Sequence, residues 1–149
     1  MVHHTGLCPA DLDASLRFYR DGVGLTVLAD FTMEADLEDL LGRSTRRVRS
    51  VFLGSPSSPQ GGTLELLDFG EPDFPDGPAG PGIPHRGLFL LSFQVEVVEV
   101  LDRLAALSLG GPPRMMRGPK GNVIAVTVVD PDGVTVELLN GPVAQLPPG

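Results

Sequence analysis

The sequence predicts an α+β fold: two strand–helix–three-strand modules forming a curved, cup-like, eight-stranded mixed sheet with helices outside. Three observations predict it. The chain opens on a short strand, a turn and an amphipathic helix. A second segment repeats that order and closes on Asp130-Pro-Asp-Gly133 ahead of the apolar run Val134-Thr-Val-Glu-Leu-Leu139. A Pro- and Gly-rich stretch separates the two.

The elements follow in order. A strand spans about 2–8, where alternation puts His4, Gly6 and Cys8 on one face. A helix spans 11–22, with Asp11 placed to cap it and Leu12, Leu16, Phe18 and Tyr19 near helical spacing. Asp21-Gly22 and Gly24 end it. A strand follows at 25–31. Leu37, Leu40 and Leu41 suit a short helix within 33–42, ended by Gly42; it either covers the mouth of a cavity or is a surface turn packed on the sheet. Strands at 46–54 and 62–69 complete the first module. Prolines at 72, 75, 78, 81 and 84 recur with the three-residue period of polyproline II, which suits a semi-rigid linker better than a ligand for a Pro-binding domain.

The second module starts with a strand at 88–95. A helix at 96–108 carries an apolar stripe of Val97, Val98, Leu101, Leu104 and Ala105, and Gly110-Gly-Pro-Pro113 stops it. Strands at 114–117, 123–129 and 134–139 follow. Gly118-Pro-Lys-Gly121 and Asp130-Pro-Asp-Gly133 supply turns. The expected organisation is one domain over 1–149: module 1 at about 1–69, linker 70–86, module 2 at about 87–140 and a tail at 141–149.

Composition narrows the function. A chain of 149 residues, 42% hydrophobic, is long enough to bury a real core. Nineteen acidic against eleven basic residues give a formal charge of −8, which argues against nucleic acid and an anionic membrane surface as partners. The lone Cys8 excludes an internal disulfide framework. No secretory signal is visible, and no apolar run approaches the roughly 20 residues of a membrane span. A cytoplasmic protein is expected. There is no phosphate-binding Gly loop and no G-x-S-x-G elbow.

His4, Asp11-Leu-Asp13, Ser15, Phe18-Tyr19, Gly24-Leu25, Leu64-Glu65-Leu66 and Pro131-Asp-Gly133 before Val136-Glu137-Leu138 together resemble the vicinal oxygen chelate superfamily. That superfamily includes glyoxalase I, methylmalonyl-CoA epimerase, extradiol dioxygenases, and the fosfomycin and bleomycin resistance proteins. The resemblance covers roughly residues 2 to 140. It is specific for fold and unspecific for activity, because one scaffold hosts many chemistries.

The resemblance implies metal ligands on the first and last strand of each module. His4, Glu65 and Glu137 match three of the four. Leu90 stands where the third ligand, usually His, belongs, and a two-residue slip would bring Leu88 there; neither binds a metal. His85 lies upstream in the proline segment. The implied set is therefore His4, Glu65 and Glu137, one short. It suits a divalent ion such as zinc, iron, nickel or manganese, with a metal-free site as the equal alternative. The second His of a ring-cleaving dioxygenase is missing, so that activity is not expected.

Each residue also has an ordinary role open to it. His4 is either a ligand or acid–base group, or a hydrogen-bonded strand histidine. Glu65 and Glu137 sit in apolar runs, where a carboxylate is costly unless paired or facing water; they are either cavity groups, one doubling as a catalytic base, or members of a solvated face. Cys8, Leu67, Phe69, Leu90 and Ser92 are the expected substrate-contacting residues, and Gln94 shares their face. Met115 and Met116 line the cup or fill the core. Arg46-Arg-Val-Arg49, on the third strand, makes either a solvated strand edge or an anion contact. The reading is a glyoxalase-like, metal-assisted isomerase, epimerase or lyase acting next to a carbonyl. The alternative is a metal-free binding or resistance protein for an antibiotic-type small molecule. A homodimer is implied by the resemblance.

Overall fold

In the computed structural model, residues 2–58, 61–70, 75, 77, 84 and 86–141 are described. The chain divides into two units, Met1–Arg20 with Gly24–Asp76, and Asp21–Val23 with Gly77–Gly149. Most of the expected proline linker, His85 and all but the first residue of the tail lie outside the described residues.

The first unit runs β1 (His4–Leu7), α1 (Leu12–Leu16), a π-helical continuation at Arg17–Val23 whose last three residues count with the second unit, β2 (Thr26–Met33), α2 (Glu38–Leu41), β3 (Val48–Gly54) and β4 (Thr63–Asp68). The second runs β5 (Leu90–Gln94), α3 (Val97–Ala106), β6 (Arg114–Arg117), β7 (Val123–Val129) and β8 (Thr135–Leu139). All eight expected strands form, hydrogen-bonded as two mixed sheets of four in the orders β1-β4-β3-β2 and β5-β8-β7-β6. In each sheet the first strand pairs parallel with the last, and the other pairs are antiparallel. The two sheets thus repeat one plan.

Local chemistry explains the boundaries. Asp11 is extended, and its carboxylate accepts from the Ala14 N–H at 3.0 Å, satisfying one of the donors a helix start leaves open. Gly24 ends the helix at φ 95, a left-handed conformation that costs glycine nothing. In the second unit Arg103 donates to the terminal carbonyls of Gly22 (2.9 Å) and Val23 (3.2 Å). Glu96 gives α3 no side-chain cap; the side-chain Oδ1 of Asn140, just beyond β8, accepts from the Val97 N–H at 3.1 Å instead.

The cores follow from alternation. In the first unit Leu12, Leu16, Phe18 and Tyr19 are buried, as are Val51, Leu53, Leu64 and Leu66 on one face of the sheet. In the second, Val97, Val100 and Leu104 of α3 are buried with Val126, Val128, Val136 and Leu138. Burying each such side chain is worth about 1.5–3 kcal/mol. The expected α3 stripe is corrected here, because Val98 is 69% exposed and Val100 takes its place. A helix of 3.6 residues per turn offers overlapping stripes through this run, and Val100, three after Val97 and four before Leu104, completes the narrower one. Met115 and Met116 are exposed on the edge strand β6, so they do not fill the core. Leu40 of α2 is 77% exposed and no α2 residue is buried, so this helix is not packed onto the sheet through its leucines.

Two turns are held by buried or anchored polar groups. Asp130, 5% exposed, accepts the N–H groups of Asp132 (2.9 Å) and Val134 (2.7 Å), and Gly133 closes the turn at φ 89. Asp36 accepts from the Thr45 and Glu38 N–H groups and the Ser44 hydroxyl. Thr45, itself buried, donates to the Ala35 carbonyl and accepts from the Leu37 N–H. The segment between α2 and β3 is therefore tied at several points.

Replacing Asp130 with Ala leaves two turn N–H groups without their acceptor, so Asp130→Ala is expected to lose about 2 kcal/mol, while Asp130→Asn keeps an acceptor and loses less. Urea denaturation checks both; equal stability of Asp130→Ala and wild type would refute this account of the turn. The Thr45 N–H, then the Ser44 hydroxyl and the Glu38 N–H, hold the Asp36 carboxyl below its ordinary value of 3.8. A lowered carboxyl stabilises the folded segment above that ordinary value and loses the contribution as pH falls through the lowered one. Hydrogen-exchange protection of the Thr45 amide should therefore be flat near neutrality and fall in strong acid. In Asp36→Ala it should be weak throughout; full protection in that variant would show the tie is idle.

Candidate functional site

The site in the first unit starts from the alternation of β4. Leu64 and Leu66 are buried at 4% and 0%, so Glu65 between them projects from the opposite face. Pairing places Glu65 beside Gly6 of β1 and Phe52 of β3. Glu65 is only 8% exposed, and a buried carboxylate needs partners. The Ser50 hydroxyl, fully buried, donates to Oε1 at 2.5 Å. The His4 Nε2 lies 3.2 Å from Oε2, with the imidazole still 39% exposed. The His3 Nδ1 stands 2.8 Å from the His4 Nδ1.

Through Nε2–H, His4 can donate to the carboxylate, and Ser50 supplies the second donor. Beside it stands an aromatic wall. Phe52 meets the His4 ring edge-on at 5.6 Å between centroids, and Phe31 stacks on Phe52 at 6.1 Å. Leu67, paired with Ser50, continues the same face, and Gly6 offers no side chain in front of the carboxylate. A carboxylate is an acceptor-only group, and this one is held by Ser50 on one oxygen with an imidazole at the other.

The second unit repeats the frame with different chemistry. Ser92 pairs with Glu137, and its hydroxyl donates to Oε2 at 2.8 Å. Leu90 pairs with Thr135 as His4 pairs with Thr63, so Leu90 holds the position of His4. Glu137 thus has a serine partner and a leucine where Glu65 has an imidazole.

The structure brings His4 and Glu65 together, and puts Leu67 on their face. Phe69 lies past the end of β4, and Cys8 is exposed one residue past β1. Leu90 is half-buried, Ser92 exposed and half-buried Glu137 bonded to it. Arg46 and Arg47 precede β3 rather than lying on it, because the strand begins at Val48; Arg49 is tied to Asp30. Among the described residues no three His, Cys, Asp or Glu side chains form a group able to hold a metal ion. His4 with Glu65 alone offers two donors, whereas catalytic sites supply three. This pair does not by itself fit a metal.

Ser50, Phe31 and Phe52 were not among the residues expected from sequence. Ser50 had a signal: it is the one hydroxyl within the apolar strand Val48–Gly54. The equivalence of the two glutamates also had one, the repeat Thr63-Leu-Glu-Leu-Leu-Asp68 and Thr135-Val-Glu-Leu-Leu-Asn140.

Comparison with known proteins agrees with this arrangement of paired units. The family model for the glyoxalase/bleomycin resistance protein/dioxygenase superfamily matches residues 1–138. The chain is 36% identical over 150 residues to the lactoylglutathione lyase-like protein terB of Aspergillus terreus, covering 95% of this chain and 75% of that one. Among solved structures, glyoxalase I of Leishmania major is similar with a TM-score of 0.62 and 26% identity over 94% of this chain and 86% of that chain. A fosfomycin resistance protein, FosX, of Listeria monocytogenes, solved with Mn(II) and a dihydroxypropylphosphonic acid, shares the fold at a TM-score of 0.56 and 16% identity, covering 97% of this chain and 95% of that one. A matching family model over nearly the whole chain and a relative of this identity place the protein in the glyoxalase/bleomycin resistance protein/dioxygenase superfamily.

Proposed function

We propose that the protein is a glyoxalase-like enzyme that moves a proton next to a carbonyl of a small molecule, with Glu65 as the base. The observation that carries this reading is the buried Glu65 carboxylate, held by Ser50 and His4 beside an aromatic wall. Glu65 takes the proton from the carbon beside the carbonyl, and the C–H electron pair moves onto the carbonyl oxygen. Protonated Glu65 no longer needs the His4 N–H, which becomes available to the developing oxyanion. When the first carbon bears a hydroxyl, return of the proton to the former carbonyl carbon, with the hydroxyl proton passing to the oxyanion, makes the first carbon the new carbonyl and is an isomerisation; return to the other face of the first carbon, with the oxyanion re-forming the carbonyl, is an epimerisation. The relative named for lactoylglutathione makes S-lactoylglutathione the first compound to test. The reading also includes a homodimer acting in the cytoplasm.

Solvent deuterium entering the carbon beside the carbonyl, followed by NMR, measures the step directly. Glu65→Gln should lower that rate by about 10²–10⁴-fold. Ser50→Ala keeps the base but frees one oxygen, and should cost about tenfold. Unchanged exchange in Glu65→Gln would overturn the assignment of the base.

Metal dependence is decided by elemental mass spectrometry on protein purified without chelator or affinity tag. Wild type is expected to carry well under one zinc, iron, nickel or manganese per chain. Leu90→His should raise that content, since it adds imidazole at the position matching His4. A stoichiometric ion in wild type, lost in Glu137→Gln, would instead support the metal-assisted reading with Glu137 as a ligand, the ion then supplying charge at the substrate oxygen.

One observation favours a second reading, a metal-free binding or resistance protein: Leu90 puts an apolar side chain in the second unit at the position where the first has His4. Under it, a hydrophobic natural product would raise the melting temperature of wild type, and Leu90→Asp would weaken that ligand. Equal affinity in Leu90→Asp would remove this reading.

A further inference from the structure

Arg43, Arg46, Arg47 and Arg49 place four of the chain's eleven basic residues within seven positions, in a chain of net charge −8. They differ in what they do. Arg49 forms a two-pronged pair with Asp30, Nε to Oδ1 at 2.9 Å and Nη2 to Oδ2 at 2.8 Å. It also stands opposite Asp68 in the β3–β4 register. Its charge is committed. Arg46 and Arg47 are exposed and, among the described residues, have no hydrogen bond or ion pair.

These two guanidinium groups border a depression of about 580 Å³ at the end of the first sheet, where β3 begins and β4 finishes. Ser44, Arg49, Asp68, Phe69 and Gly70 complete its lining. The backbone that carries Arg46 and Arg47 is pinned on both sides. Thr45 before them is buried and doubly hydrogen-bonded to the 35–37 segment, and Val48 after them is fully buried. Asp36 ties Ser44 and Thr45 from the same segment. Holding two unpaired guanidinium groups side by side on a fixed backbone is unfavourable without a counter-charge and lowers the ordering cost of binding one. Arginine's planar fork matches oxyanions, and the Phe69 ring supplies an apolar neighbour. Phe69 lies four residues beyond Glu65, about 13 Å along the strand, so this depression is separate from the carboxylate site.

We propose that this depression is a binding site for small molecules that carry a phosphate or carboxylate next to an apolar group, held by Arg46 and Arg47 against Phe69. It stands independently of the proton-transfer reading.

The test is an NMR titration of the full chain with phenyl phosphate and, separately, with benzoate. Saturable shifts should centre on the Ser44 and Gly70 amides and weaken as salt is added. Arg46→Gln with Arg47→Gln should weaken binding by about tenfold or more. Arg17→Gln with Lys120→Gln removes the same charge from exposed sites elsewhere and should change little. Tighter binding of phenyl phosphate identifies phosphate as the recognised group, and tighter binding of benzoate identifies carboxylate. No saturable shift with either probe, shifts centred elsewhere, or equal weakening by the control pair overturns the proposal. The wild-type shifts and their salt dependence keep it falsifiable if the arginine variant fails to fold.

Discussion

A slip of one residue in β4 would turn Glu65 into the core and bring Leu64 and Leu66 onto the open face. The burial of those two leucines prevents it, and the carboxylate is carried along by the alternation. Each neighbour of Glu65 follows from that register. Parallel pairing with β1 brings Gly6 alongside and His4 within reach; antiparallel pairing with β3 brings Phe52 opposite and Ser50 one step away on the diagonal. The cost of a buried carboxylate is met by the serine and the imidazole, so the apolar packing on one face and the polar row on the other are two consequences of one strand register.

The second unit shows what happens when the same frame carries different side chains. Thr135-Val-Glu-Leu-Leu places Glu137 as Thr63-Leu-Glu-Leu-Leu places Glu65. Gly6 is replaced by Ser92, His4 by Leu90, and the β3 residue Phe52 by Thr127 in the register of β7. The glutamate keeps one hydroxyl partner in each case, from β3 in the first unit and from β5 in the second. The scaffold conserves a supported carboxylate and changes what stands beside it, which is the level at which members of one fold family diverge in chemistry.

Element type and order were legible because the periods of 2 and 3.6 are strong in this chain and its turns carry Asp, Gly and Pro at the positions that need them. The limits of that reading are particular. Two overlapping stripes run along α3, and only contact with the sheet selects the one through Val100. Arg46-Arg-Val-Arg49 reads as strand, but the segment from Asp36 to Thr45 is tied to itself and delays β3 until Val48. Leu40 and Leu41 look like core residues by type, yet α2 has no buried side chain.

From the sequence alone came the two modules, the family resemblance, and His4, Glu65, Leu90 and Glu137 as positions of interest, since hydrophobic alternation and turn chemistry are local properties. The partners of those residues were decided only by tertiary structure. Ser50 is 15 residues from Glu65 and His4 is 61, and strand pairing across those separations sets the contacts. A hydrogen bond depends on registers between strands that the period of any one strand does not contain.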